Sequence, residues 1–197
     1  MLTLIVGTSG SGKTTFAHTY FGKDNAIVTV TTRAKRHEEI EGVDYYFIDD
    51  ETYDELQKQG QFIECTTYAG NRYGVLKGEF KRHQGKPRFY ANVDIYGYQK
   101  LSQYALEQGI PYEVLYFTID AQTVEERLKL RGDDPKDIER RLAQIRVDNA
   151  NNLPLLGGSH VIVIDASQSL NKMYEQYFEG MRLRAKRNHT ILAQTRY

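Results

Sequence analysis

The sequence predicts an α/β protein with a parallel sheet and helices on both of its faces. Two observations carry that reading. Residues 2–6 form an apolar run that ends at Gly7 and leads into a helix-like stretch over 13–21. In the second half, strand-like segments at 113–119 and 160–164 alternate with helical segments. This alternation builds strand–helix–strand units around a parallel sheet. Residues 31–90 break the alternation with short strands and turns, and so read as an insertion in the α/β core rather than a separate domain.

Each element has a local cause. The run at 2–6 is continuously apolar, as in a strand buried on both faces. Gly22 follows the helix at 13–21 as its stop signal. Residues 26–32 and 45–48 are β-branched or aromatic and read as strands. Asp49 or Asp50 starts a helix reaching Gln59, which Gly60 ends. Residues 62–68 and 72–75 flank Ala69-Gly70-Asn71, whose composition suits a hairpin turn. A break at 85–87 precedes a strand over 88–94. A helix over 98–107 closes at Gly109 and Pro111. The segment 121–130 is helical. Asp134 caps, and Pro135 opens, a helix to about residue 149. The strand at 160–164 precedes a last helix from Ser169 to about Arg187.

The bulk numbers narrow the function classes. The 197 residues suit one domain, and 26 basic residues balance 26 acidic ones. General attraction to nucleic acid or an anionic membrane is therefore not implied, and any anion site must be local. The single cysteine, Cys65, excludes an internal disulfide framework and a multi-cysteine metal site, and fits a reducing, cytoplasmic setting. No stretch reaches the length of a membrane-spanning helix.

The first chemical signal is Gly7-Thr8-Ser9-Gly10-Ser11-Gly12-Lys13-Thr14, with Thr15 beside it. This is the phosphate-binding loop pattern in its proper context, after a strand and opening a helix. Its glycines let successive backbone N–H groups face a phosphate, and the helix N-terminus adds positive potential. Lys13 is expected at the β- and γ-phosphates and the Thr14 hydroxyl on Mg²⁺. The loop therefore binds a nucleoside triphosphate, with ATP as the default.

The second signal is TTRAKRHEEIEGVDYYF, residues 31–47. Arg33 and Arg36 are suited to bidentate phosphate contacts, and Tyr45 and Tyr46 add hydroxyl donors. The pattern Thr31-Thr32-Arg33, Arg36, Glu39, Gly42 and Tyr45 resembles the guanylate kinase family, as does Phe62-Ile63-Glu64 followed by Gly70-Asn71-Arg72-Tyr73-Gly74. The resemblance covers nearly the whole chain. It implies a single phosphate-loop domain with a core of about 1–30, 88–130 and 142–197. A nucleoside-monophosphate-binding insertion would span about 31–87 and a short helical lid about 131–141. It implies that Arg33, Arg36, Glu39, Tyr45 and Tyr73 serve the acceptor's phosphate.

Glu64 carries its own argument. Guanine offers two adjacent donors, N1–H and the 2-amino group, and a carboxylate accepts both; adenine presents an acceptor at N1 instead. Thr29 stands where the family has a base-reading serine and keeps a hydroxyl. Val75 replaces another such serine and cannot donate. Asp94 ends a strand, where it would orient Mg²⁺ through water or contact the acceptor's base or sugar; Asn92 stands where the family often has a second aspartate. Cys65 takes the place of an aromatic and reads as a small buried apolar residue.

The resemblance also implies that Arg131 and Arg141 clamp the transferring phosphoryl group, with Arg127 in or beside the clamp and Asp148 bracing it. Ile164 and Asp165 stand where the family holds the donor's adenine, which leaves the donor base open. The run Arg182, Arg184, Lys186, Arg187 reads as helix C-terminal charge rather than a nucleic-acid patch. The implied activity is Mg²⁺-dependent transfer of a phosphoryl group from ATP to GMP or dGMP, by a monomer or homodimer, in purine nucleotide metabolism. Two alternatives stand beside it: a kinase for another nucleotide or a sugar phosphate, and a binding module without catalysis.

Overall fold

The structure, a computed structural model, describes residues 1–8, 10–68, 70–130, 132–152, 158 and 160–194, without the side chains of 68, 144, 146–152 and 187–194. In chain order the elements are β1 (Leu2–Gly7), α1 (Lys13–Phe21), β2 (Thr29–Thr31), β3 (Tyr45–Phe47), α2 (Asp50–Lys58), β4 (Phe62–Tyr68) and β5 (Asn71–Leu76). Then follow α3 (Lys77–Arg82), β6 (Phe89–Val93), α4 (Ile95–Glu107), β7 (Tyr112–Thr118), α5 (Ala121–Leu130), α6 (Pro135–Asn152), β8 (Val161–Asp165) and α7 (Leu170–Gln194). Two four-stranded sheets result, one ordered β6-β1-β7-β8 and the other β3-β2-β5-β4. The α/β class and the helix-flanked parallel sheet agree with the sequence reading. None of the described helices is long and apolar enough to cross a membrane.

The chain divides into two compact units. One comprises residues 5–16 and 113–197. In it β7 and β8 pair in parallel, from Val114 with Val161 to Thr118 with Asp165. Val114, Leu115 and Phe117 are almost fully buried, as the unbroken apolar run requires. Phe16 packs edge-on against Phe117, with ring centroids 5.2 Å apart. Helix α7 lies close on β8, because a Cβ on Gly180 would fall 2.5 Å from Ile162 Cγ2. Arg184 of α7 donates to the buried Glu113 at 2.9 Å, and the Tyr177 hydroxyl donates to the same carboxylate. Part of the basic C-terminal run is therefore committed to internal pairing.

The other unit comprises residues 1–4 and 17–112. The segment expected as one strand over 26–32 serves two sheets. Ala26 bridges Tyr90 of β6, and Thr29–Thr31 then pairs in parallel with β3 and antiparallel with β5. The hairpin of β4 and β5 forms as its turn chemistry implies, with a register shift between Phe62 and Glu64. Helix α3 has no counterpart in the sequence reading: it is six residues long and contains Gly78, so it shows no sustained helical period. Asp49, not Asp50, caps α2, accepting from the Thr52 N–H at 2.8 Å. Cys65 is exposed, not buried as expected: in a strand with one solvated face, its neighbour Glu64 takes the inward side.

Candidate active site

The loop from Gly7 to Lys13 belongs to the unit formed by residues 5–16 and 113–197. Gly10 and Gly12 have φ near +85° and +83°, conformations that let consecutive N–H groups curl toward one point. Gly7 is constrained by contact as well as by its φ of +152°: an added Cβ would lie 2.7 Å from the Phe117 carbonyl oxygen. Gly7→Ala is therefore expected to cost about 2 kcal/mol or more of stability, read from urea denaturation, because a β-strand carbonyl cannot retreat.

Lys13 Nζ donates to the Gly7 and Thr8 carbonyls, at 2.7 Å each. Its ammonium is thereby held over the mouth of the loop, where phosphate oxygens would compete for it. The Ser11 hydroxyl closes the loop from inside by donating to the Thr8 carbonyl at 2.8 Å. Thr8 Oγ1 is buried without a hydrogen-bond partner among the described residues. Thr14 and Thr15 are exposed at the start of α1. Arg127 of α5 donates to the Ala166 carbonyl at 2.7 Å and reaches within 3.8 Å of where a Cβ on Gly12 would stand. Arg141 sits 3.8 Å from the Asp133 carboxylate, just after Gly132 at φ +81°. Ser9, Arg131 and the Asp148 side chain lie outside the described residues. Ile164 is fully buried, so it contributes no surface to a donor base; the Asp165 carboxylate is held below its ordinary range by bonds from Ser167 and Gln168.

The second cluster belongs to the other unit. Arg33 donates to Glu39 Oε1 at 2.6 Å, and Arg36 N–H donates to Glu39 Oε2 at 2.8 Å. Burial alone would raise the Glu39 carboxyl, but these bonds hold it below its ordinary value. Both Glu39 oxygens are therefore engaged, Oε1 by the Arg33 guanidinium and Oε2 by the Arg36 main-chain N–H. The Arg33 guanidinium lies over the rings of Tyr45 and Phe47, at 5.4 and 5.7 Å. Tyr45 and Tyr73 meet edge-on at 6.1 Å. Burial, then the neighbouring Tyr73, pushes the Tyr45 phenol up and keeps it a donor. Arg36 remains half exposed. Tyr46 does not join this cluster, as its hydroxyl donates to Glu79 at 2.9 Å.

Glu64 is 9% exposed, and burial, then the charge of Asp94, pushes its carboxyl up to about 7. Val75 stands opposite it in the β4–β5 register and is 1% exposed, so an isopropyl group helps to exclude water from the carboxylate. Thr29 is partly exposed on β2, paired with Tyr45 in the β2–β3 register. Asp94 is the N-cap of α4, with Oδ1 accepting from the Gly97 N–H at 2.7 Å, and it acts on Glu64 through its charge. Asn92 Oδ1 is buried without a partner among the described residues. Glu64 and Asp94 are close enough for their charges to interact, and the Glu64 carboxylate offers two acceptors side by side.

The family model described as guanylate kinase matches residues 1–180. The chain belongs to the guanylate kinase family. Among its relatives, the guanylate kinase of Anaeromyxobacter dehalogenans is 34% identical over 78% of this chain and 69% of its own length. The guanylate kinase of Zymomonas mobilis is 29% identical over 100% of this chain and 91% of its own. A crystal structure of guanylate kinase from Anaplasma phagocytophilum shares the fold, with a TM-score of 0.62 at 23% identity, covering 94% of this chain and 85% of that one. Membership of the guanylate kinase family brings with it ATP-dependent phosphotransfer as the class of chemistry. Sequence reading had not singled out Glu79, which is buried and accepts from three donors. The sequence signal lay in its place three residues before Arg82 and one before Phe80, too short a stretch to show a helical face.

Proposed function

We infer that this chain transfers the γ-phosphoryl group of ATP to GMP or dGMP, giving the nucleoside diphosphate. The observation that carries the reading is the buried Glu64 carboxylate, in the same unit as the Arg33–Tyr45–Tyr73 cluster. It pairs a two-acceptor base reader with a dianion grip. In this reading residues 31–87 form the acceptor-binding sub-domain and 131–141 the lid.

The geometry supports the following roles. The loop N–H groups, Gly7 to Thr15, hold the donor's phosphates. Lys13 leaves its loop carbonyls for the β- and γ-oxygens. Arg33, Arg36, Tyr45 and Tyr73 hold the acceptor's phosphate, with Glu39 aiming the arginines. Glu64 accepts from guanine N1–H and the 2-amino group, with Asp94, Val75 and Thr29 as neighbouring walls. Arg141, and Arg131 with it, neutralise charge on the transferring group. The reaction needs no protein nucleophile, since the acceptor's own phosphate oxygen attacks and positioning does the rest.

Mg²⁺ fits this donor set. The Thr14 hydroxyl at the start of α1 is exposed, a hard oxygen donor of the kind Mg²⁺ takes beside phosphate oxygens and water. That hydroxyl would hold the ion, which when bound would neutralise phosphate charge. ATP and GMP as substrates fit a cytoplasmic enzyme, monomeric or homodimeric, that takes nucleotides and neither nucleic acid nor membrane as partners.

Arg36→Ala is expected to raise the GMP KM about tenfold, through loss of a charge-assisted phosphate contact, with the ATP KM unchanged. An unchanged GMP KM removes Arg36 from the grip. The function itself is tested by a coupled assay across all nucleoside monophosphates and ribose phosphates with ATP. GMP and dGMP are expected to exceed AMP, UMP and CMP on the order of 10²-fold in kcat/KM. A higher value for any other acceptor assigns the site to that acceptor, and absence of turnover with every acceptor leaves a binding module.

A further inference from the structure

The acceptor-phosphate grip stands on a slender support. β3 has three residues and lies at the edge of its sheet, hydrogen-bonded to β2 alone among the named strands. Alternation along a strand sends Tyr45 and Phe47 to one side and Tyr46 to the other. Arg33 covers the first side. On the second side, the Tyr46 hydroxyl donates to Glu79 Oε1 at 2.9 Å.

Glu79 lies on α3 and is 6% exposed. Its other oxygen, Oε2, accepts from the Val28 N–H at 3.2 Å and from Arg82 Nη2 at 2.9 Å. A buried carboxylate must be met by donors, and three meet this one. They tie together the chain entering β2, the rear of β3, and α3. A short edge strand has few ladder bonds to fix it, so this rear bond sets where Tyr45 and the Arg33 guanidinium over it can stand.

We propose that Glu79 is a positioning residue for acceptor binding, acting through Tyr46 on the strand that carries Tyr45. The proposal rests on the reading of Arg33, Tyr45 and Tyr73 as the acceptor-phosphate grip. Tyr46 itself, although a phenol in the arginine-rich window, touches the carboxylate and not the substrate.

The test is initial-rate kinetics with GMP and ATP varied separately, on the full chain and four variants. Tyr46→Phe removes one bond to a charged group and is expected to raise the GMP KM about five- to tenfold, with the ATP KM constant. Glu79→Ala is expected to do at least as much. Glu79→Gln should restore near-normal values, because its amide oxygen can face Val28 and Arg82 while its NH₂ donates to the Tyr46 hydroxyl. If Tyr46→Phe and Glu79→Ala lower the melting temperature but leave the GMP KM unchanged, Glu79 is a stability residue and the proposal is wrong. Arg33→Ala separates the two levels. Should it raise the GMP KM while Tyr46→Phe does not, the proposal alone falls. Should neither move it, the grip assignment falls and the proposal with it.

Discussion

Lys13→Ala is expected to lower kcat on the order of 10³-fold, measured by coupled assay at saturating ATP and GMP. The loss follows from charge. In the transition state negative charge spreads over the transferring oxygens, and Lys13 is the one cation built into the loop itself. Alanine also leaves the Gly7 and Thr8 carbonyls without their 2.7 Å donors. The buried Thr8 carbonyl keeps the Ser11 hydroxyl as a donor at 2.8 Å and Gly7 is partly exposed, so the melting temperature should change little. A variant with normal kcat would show that the loop does not act on the γ-phosphate.

The second large effect concerns Glu64. Burial, and then the charge of Asp94, push its carboxyl up to about 7 from the ordinary value near 4.5. The sign follows directly. A carboxyl raised in the fold favours the protonated form, so its contribution to stability is complete below about pH 4.5 and is lost as pH rises to about 7. The upper bound on that loss is about 3–4 kcal/mol, from about 1.4 kcal/mol per pH unit over the shift from 4.5 to about 7. Guanine binding runs the other way, since only the carboxylate accepts from both N1–H and the 2-amino group. Below about pH 7 the acceptor must expel a proton from Glu64, and its KM is expected to rise toward tenfold per pH unit. The ATP KM should not follow it. Glu64→Gln removes this slope and raises the GMP KM on the order of 10²-fold, because the amide presents a donor to a donor. A pH profile of the GMP KM that is flat between 5.5 and 8 in the unmutated chain would remove Glu64 from base reading.

The loop and the arginine window were legible because their residues must be contiguous. Successive N–H groups facing a phosphate require closely spaced glycines just before a helix, here Gly7, Gly10 and Gly12, and that order is visible in sequence. Helices α1 and α5 were readable to the residue, since each ends at a glycine or an apolar boundary. What could not be read depends on chain segments distant in sequence. The split of residues 26–32 between two sheets rests on Tyr90, and α3 is too short to show a period. The environment of Glu64 depends on Asp94, thirty residues away, and on Val75, whose burial appears only with the β4–β5 register. Asp94 illustrates the limit well: a strand-end carboxylate and a helix N-cap have the same sequence signature, and here one residue is both.

The central claim is phosphoryl transfer between two bound nucleotides, not hydrolysis of one. Incubation of the chain with γ-³²P-labelled ATP, Mg²⁺ and GMP, followed by separation of the products, tests it most directly. Phosphoryl transfer gives label in GDP, one ADP formed for each GDP, and little inorganic phosphate. Label confined to inorganic phosphate, or remaining wholly in ATP, would contradict it.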